Sequence, residues 1–408
     1  MLEKVHIKAF RSCADLSLEF TSPIVALVGR NGAGKTNILK GIEWFARTAT
    51  SLDPPDEDGF FTFHIPNLVD VSVEVELSGK RYRYGLARET HFPEERGRQA
   101  GPLTFTLREE LIALGAVGAP SESRVLRRTD EKLEVSGHPE LYQIGPTSPS
   151  LPVLAALLLP EDPLRPLVLE LRDFLASVRY YPLDEPMEAQ GKDHLSLVRG
   201  EDYSKWRAQP EAGNTAPVVM RLLHLSLETP PDRFREFLSL LGQDGLGLLR
   251  SLDFKRYDLP APGKKAGQPE GRSLYMLEVA PSGAGPADSF SYGELSAGTR
   301  RIIRLLVSLL SDESSVMLLE QPEDSIHAGL TSKLLDLLKT YSKERTVILT
   351  THSATMFNAL APENIRLVTM QKGATRLRAL SPQELSTARE FLEDEGSLSD
   401  FIESVEED

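Results

Sequence analysis

Ile24 to Val28 is an unbroken apolar run, and Gly29-Arg30-Asn31-Gly32-Ala33-Gly34-Lys35-Thr36 follows it at once. A short apolar run without polar alternation reads as a strand buried on both faces. Asn37 to Ala46 then sets Ile38, Leu39, Ile42, Trp44 and Phe45 at helical spacing. A strand, a loop matching G-x-x-x-x-G-K-S/T and a helix in this order leave few folds open. The glycines let the backbone wrap a phosphate, the loop N–H groups and the helix N-terminus attract its charge, Lys35 adds a point charge, and the Thr36 hydroxyl can ligate Mg²⁺. Asn31, Gly32, Ala33, Gly34, Lys35, Thr36 and Asn37 are thus the candidate phosphate-binding residues.

The rest of the chain supplies the frame for this loop. Residues 3 to 9 and 16 to 20 alternate polar and apolar side chains, as do 71 to 77 and 81 to 86 across Ser78-Gly79-Lys80, which predicts two hairpins. Beyond residue 273, strand patterns at 274–279, 316–319 and 346–350 alternate with helical patterns at 299–310 and 328–341. That alternation predicts a parallel sheet with helices packed on it. Residues 1–90 and 273–380 therefore read as two parts of one split α/β domain, a parallel sheet with an antiparallel β lobe. Between them, at 91–272, Pro and Gly become frequent and amphipathic patterns occur near 164–178, 215–227 and 231–241. This predicts an inserted, mainly helical lobe, closed by the Pro-, Gly- and Lys-rich stretch 260–271. Without sustained heptads it should be compact, not a coiled-coil arm.

Charge decides less than the total implies. The net of -14 over 408 residues argues against a generally basic nucleic-acid coat protein. From Glu384 to Asp408, however, ten acidic residues face one basic residue, so most of the excess sits in the last 25 positions. Residues 381–408 read as an acidic helical tail opened by the capping box Ser381-Pro382-Gln383-Glu384. Its apolar residues fit either docking on its own domain or presentation to a partner. A single cysteine, Cys13, excludes an internal disulfide, and no Cys/His spacing fits a zinc site. The N-terminus lacks the apolar core of a signal peptide, and the run Leu151 to Leu159 is too short to span a bilayer. A cytoplasmic protein with no membrane domain is expected.

Three further elements complete the candidate site. Val316-Met317-Leu318-Leu319-Glu320 ends an apolar strand on a carboxylate suited to a magnesium shell, and Gln321-Pro322-Glu323 follows. Leu295-Ser296-Ala297-Gly298-Thr299 opens a helix whose N-terminus, with Ser296 and Gly298, could hold a γ-phosphate. Thr350-Thr351-His352-Ser353 places His352 at the tip of another apolar strand.

These motifs in this order resemble the ATP-binding-cassette (ABC) ATPases, and the opening Ile7-Lys8-Ala9-Phe10-Arg11-Ser12 resembles their SMC and RecF branch. The segment Glu320-Gln321-Pro322-Glu323-Asp324-Ser325-Ile326-His327 is similar to that of the overcoming-lysogenization-defect (OLD) type and the related AAA_15/AAA_21 ATPases. The resemblance covers roughly residues 1–90 and 273–360, with weaker echoes at 178–181 and around Asn214. It implies an ABC-type P-loop ATPase head that uses ATP and Mg²⁺. In an ATP-sandwich dimer, Lys35, Thr36 and Glu320 of one subunit would face Ser296 and Gly298 of the other. Arg11 and Ser12 would lie near the nucleotide, and His352 would sense the γ-phosphate. The family's Q-loop glutamine is left unassigned, since the only Gln in the relevant stretch is Gln99, in a Gly- and Arg-rich context.

Gln321 departs from the family, where the residue after the strand-end acid is usually a glutamate that polarises the attacking water. Loss of a general base typically costs ~10²–10⁴ in rate. Three readings stay open: a slow ATP-bound switch, activation of water by Glu323 or His352, or a Glu-to-Gln replacement that holds ATP in place.

The resemblance also bears on function. OLD-type proteins often carry a TOPRIM nuclease, for which the 56 residues after His352 are too few. The first expectation is accordingly a regulatory ATPase that dimerises or forms larger assemblies on ATP. It would control a separately encoded effector, a nuclease or toxin, in bacterial anti-phage defence. The alternative is a RecF-like ATPase of DNA repair that binds DNA. Arg124, Arg127 and Arg128, with Lys205, Trp206 and Arg207, fit either phosphate contacts or a solvated surface.

Overall fold

The computed structural model describes residues 1–52, 68–91, 104–115, 122–181, 183, 196–208, 217–259, 272–285, 288–343, 345–393 and 397–398. Gln99, Asn214, the 260–271 stretch and the last ten residues lie outside these. Two compact units divide the chain: Met1–Tyr180 with Ser314–Glu320 and Leu338–Asp408, and Tyr181–Glu313 with Gln321–Leu337.

The first unit begins with β1 (Leu2–Phe10) and β2 (Cys13–Glu19), then β3 (Ile24–Val28), α1 (Lys35–Thr50), β4 (Leu68–Leu77) and β5 (Lys80–His91). It continues through β6 (Thr104–Leu114), β7 (Glu122–Thr129), β8 (Lys132–Val135), β9 (His138–Gln143), α2 (Ser150–Leu157), α3 (Arg165–Ala176) and β10 (Val178–Tyr181). Eight strands form one sheet in the order β2-β1-β4-β5-β6-β7-β8-β9, antiparallel throughout. Alternation sets its register: Val5 and Ile7 lie between Leu18 and Leu16 on one side and Val73 and Val71 on the other, so one face is apolar. Ser78 and Gly79, both at positive φ, close β4 onto β5 as the sequence predicts. Onto this face α1 packs Trp44 against Phe10 and Phe45 against Tyr84, with ring centroids 5.9 and 5.8 Å apart. Each such fully buried side chain contributes roughly 1.5–3 kcal/mol.

Among its described residues the stretch 91–272 is mixed strand and helix, where sequence pattern predicts mainly helix. Its early part, β6 to β9, extends the first sheet. Thr104–Leu114 contains Leu-Arg-Glu-Glu-Leu-Ile-Ala-Leu, a run of good helix formers, yet it pairs with β5 on one edge and β7 on the other. Pairing on both edges outweighs a propensity difference of a few tenths of a kcal/mol per residue. Arg128 is also removed from any surface role, because its side chain is 0% exposed and pairs with Glu109 at 2.8 Å. Arg124 pairs with Glu110 at 2.8 Å and Arg127 is exposed.

The second unit carries β11 (Leu197–Arg199), α4 (Gly200–Arg207), α5 (Val218–Leu227), α6 (Pro231–Leu241), β12 (Leu249–Leu259), β13 (Arg272–Pro281) and α7 (Ala297–Ser311). Its sheet has the order β11-β13-β12, antiparallel. Both α5 and α6 pack on α7, and Arg221 of α5 reaches Asp312 at 2.9 Å, just beyond the end of α7. Arg207, one of the surface candidates, pairs with Glu228 at 2.9 Å.

The chain then runs through β14 (Val316–Glu320), α8 (Ala328–Tyr341), β15 (Thr346–Thr351), α9 (Ala354–Asn358), β16 (Ile365–Gln371), β17 (Ala374–Ala379) and α10 (Pro382–Glu393). In the first unit these strands build a second sheet of order β10-β14-β15-β3-β16-β17, where β14, β15, β3 and β16 are parallel. The parallel sheet is split in sequence as expected, β3 coming from the start of the chain and its neighbours from the end. The start of the acidic tail is tied to this unit: Arg378 holds both Glu384 oxygens at 2.8 and 2.9 Å, pressing that carboxyl down to about 2, and Arg389 pairs with Glu363. Among the described residues no helix is long and apolar enough to cross a membrane.

Candidate nucleotide site

Register brings the motif ends together. Glu320 pairs with Thr350 and Thr351 with Val28, so three adjacent parallel strands end at one level. There the glycine-rich loop leaves β3, Glu320 tips β14, and His352, exposed, follows β15. This is the carboxyl end of a parallel sheet, where open α/β folds bind ligands.

Close packing dictates the loop's shape. A Cβ on Gly29 would lie 2.0 Å from the Val368 carbonyl oxygen, so a side chain there is excluded by neighbouring backbone. Gly34 has φ 97°, and a Cβ there would meet Thr375 Oγ1 at 1.9 Å and Ser12 Oγ at 2.9 Å. Gly34 also caps α1 without a side-chain acceptor, and no acidic residue stands in the first turn. The N–H groups that begin α1 are therefore available to an anion, with the helix dipole behind them. Lys35 is buried and donates to the Gly29 and Arg30 carbonyls at 2.6 and 3.0 Å, which folds its ammonium back over the loop.

Arg11 and Ser12 form the two-residue turn between β1 and β2. Arg11 has φ 52°, a left-handed conformation that costs a non-glycine residue roughly 1–2 kcal/mol. The turn is held by a chain of polar contacts. Arg11 Nη1 donates to Asn37 Oδ1 at 3.3 Å, Asn37 Nδ2 donates to Ser12 Oγ at 2.8 Å, and Ser12 Oγ lies 2.6 Å from Thr375 Oγ1. Arg11, Ser12 and Asn37 thus assemble beside the loop as their sequence positions imply.

Glu320 receives a hydroxyl on each oxygen, Thr36 Oγ1 on Oε1 and Tyr180 on Oε2. A hydroxyl and a carboxylate side by side are hard oxygen donors, the set suited to Mg²⁺. These two residues fit the metal the motif implies.

Ser296 and Gly298 belong to the second unit. Ser296 caps α7, its Oγ accepting the Thr299 N–H at 3.2 Å. A Cβ on Gly298 would lie 2.3 Å from the Ser325 carbonyl oxygen, so the start of α7 seats tightly on the turn after Gln321. Gln321 has φ 44° and its carbonyl accepts from the Asp324 N–H at 3.1 Å, closing that turn. Upstream, Ser291 and Glu294 form a capping box in which the Ser291 N–H and hydroxyl hold the Glu294 carboxyl below its ordinary range.

Two residues of the site escape sequence reasoning. Tyr180 reaches Glu320 across 140 positions and Thr375 reaches Ser12 across 363. Only strand neighbourhood could have found them. Replacing Gly34 with Ala should lower any nucleotide affinity of the loop about tenfold, from a left-handed strain of roughly 1–2 kcal/mol, with the clash at Thr375 adding to the loss. Fluorescence titration with a nucleotide analogue measures it.

The AAA_21 family model, described as "AAA domain, putative AbiEii toxin, Type IV TA system", matches residues 24–357. The DNA replication and repair protein RecF of Rhizobium meliloti is 29% identical over 150 residues, 34% of this chain and 40% of that protein. RecF of Thermosynechococcus vestitus is 30% identical over 73 residues, 18% of this chain and 19% of that protein. The chain thus spans well under half the length of these curated relatives. A solved SMC head bound to the C-winged helix domain of ScpA has 16% identity and a TM-score of 0.46, covering 95% of this chain and 99% of that one.

Proposed function

Since this chain belongs to the AAA_21 family and is an ABC-type ATPase of the SMC and RecF branch, we propose that it binds Mg-ATP at the loop of Gly29–Thr36 and closes into an ATP-sandwich dimer. In this reading Ser296 and Gly298 of a second copy complete the site. The observation that carries the binding step is the meeting of Thr36 with Glu320 at the shared end of β3 and β14. Lys35 and the first N–H groups of α1 bind the β- and γ-phosphates, while Arg11, Ser12 and Asn37 line the approach. Thr36 and Glu320 would hold the magnesium ion, which when bound neutralises charge on the phosphates. His352 stands at the level of the loop, where a γ-phosphate would be sensed. Hydrolysis is slow, because the amide of Gln321 cannot take the proton of an attacking water.

A slowly hydrolysing sandwich is a switch, and we assign it control of a separately encoded nuclease or toxin in anti-phage defence. The family's association with toxin systems supports that role. Titration with a fluorescent ATP analogue tests the binding step: submicromolar to micromolar affinity with Mg²⁺ is expected, lost in Lys35→Ala. Equal binding by both proteins would refute it.

The RecF alignments favour a second reading, an ATPase that binds DNA across the dimer. Filter binding at 50 and 200 mM salt separates the two. Phosphate contacts predict a fall of ~10³ or more in affinity for six or more contacts, whereas the switch reading predicts no ATP-dependent DNA affinity at either salt.

A further inference from the structure

We infer that Tyr180 is a positioning residue of the metal-nucleotide site and acts through Glu320. The inference rests on the ATP-binding reading above. Tyr180 lies on β10, the edge strand beside β14, and only 9% of it is exposed. Its hydroxyl donates to Glu320 Oε2 while Thr36 donates to Oε1. A glutamate's last torsion is broad by nature. One donor on each oxygen removes that freedom and fixes the plane of the carboxylate.

The same helix supports both contacts. Thr36 and Lys40 stand four residues apart on α1, on one face. Lys40 Nζ sits 3.4 Å from the centre of the Tyr180 ring and 3.0 Å from Glu43. An ammonium on the ring face draws electron density from the phenol, making its hydroxyl a better donor. So α1 reaches one oxygen of Glu320 directly, through Thr36, and the other through Lys40 and Tyr180. Partners that orient a ligating or metal-facing carboxylate typically change metal affinity by about 10–100-fold when lost.

The experiment uses the full chain, a fluorescent non-hydrolysable ATP analogue and Mg²⁺ alone as the titrant. Tyr180→Phe keeps the ring and the Lys40 contact but removes the donor. It should raise the Mg²⁺ concentration for half-saturation about tenfold or more and leave analogue binding in EDTA unchanged. In a Glu320→Gln background the same substitution should add no further shift. An unchanged Mg²⁺ dependence, or an equal shift in the Glu320→Gln background, would overturn the assignment. If the Phe variant does not fold, Tyr180→Met, which also lacks a donor, is judged by the same two criteria. Failure of the wild-type protein to bind the analogue with Mg²⁺ would instead sink the binding reading itself.

Discussion

Replacing Gln321 with Glu should raise steady-state ATP turnover at least tenfold. The expectation follows from position and chemistry together. Gln321 directly follows Glu320 at the end of β14 and leaves the strand through a left-handed turn closed by the Asp324 N–H. The turn is built from backbone, so a carboxylate can replace the amide without a change of fold. What changes is the capacity to accept a proton, which typically contributes ~10²–10⁴ in rate. Phosphate release under saturating Mg-ATP measures it. Equal turnover in both proteins would assign water activation to another group, with Glu323 and His352 next to be tested.

Truncating Arg128 to Ala should cost ~3–5 kcal/mol in the first unit, the usual result of leaving one buried charge without its partner. Arg128 and Glu109 are both 0% exposed at the side chain. Around them Tyr84 donates to Glu109 at 2.5 Å, and the Ser150 N–H and hydroxyl donate at 2.9 and 3.0 Å. Arg128 also donates to the carbonyls of Asp130, Gly145, Pro146 and Ser148. One guanidinium thus pins the 145–148 segment to β6 and β7. Removing Glu109 as well would not restore stability, because those carbonyls would still lack their donor. Amide hydrogen exchange in β6 and β7 should accelerate by about two to three and a half decades. A change under tenfold would mean that water replaces the guanidinium and the pair is not sealed.

The legible parts of this protein are those written in local pattern. β3, the glycine-rich loop and α1 could be read because an apolar run, three glycines and helical spacing each reflect contacts within a few residues. The same holds for the Ser78-Gly79 turn and the Ser296 cap. β6 was illegible because Leu, Glu and Ala favour helix, and only its two partner strands make it extended. Tyr180 falls in the weak family echo at 178–181 and carries no role there, since nothing in Val178-Arg179-Tyr180-Tyr181 tells that β10 will lie beside β14. Arg128, grouped in the sequence with Arg124 and Arg127 as a surface candidate, is instead buried by alternation along β7. The site is therefore half local motif and half topology.

ATP should close two copies of this chain into one assembly, and size-exclusion chromatography with light scattering measures that closure. With Mg²⁺ and saturating ATP the measured mass should be at least twice the 45.2 kDa of one chain. No such increase should occur for Lys35→Ala, or for Ser296→Arg, which places a bulky side chain at the start of α7. A wild-type protein that stays strictly monomeric in saturating Mg-ATP would contradict the closure.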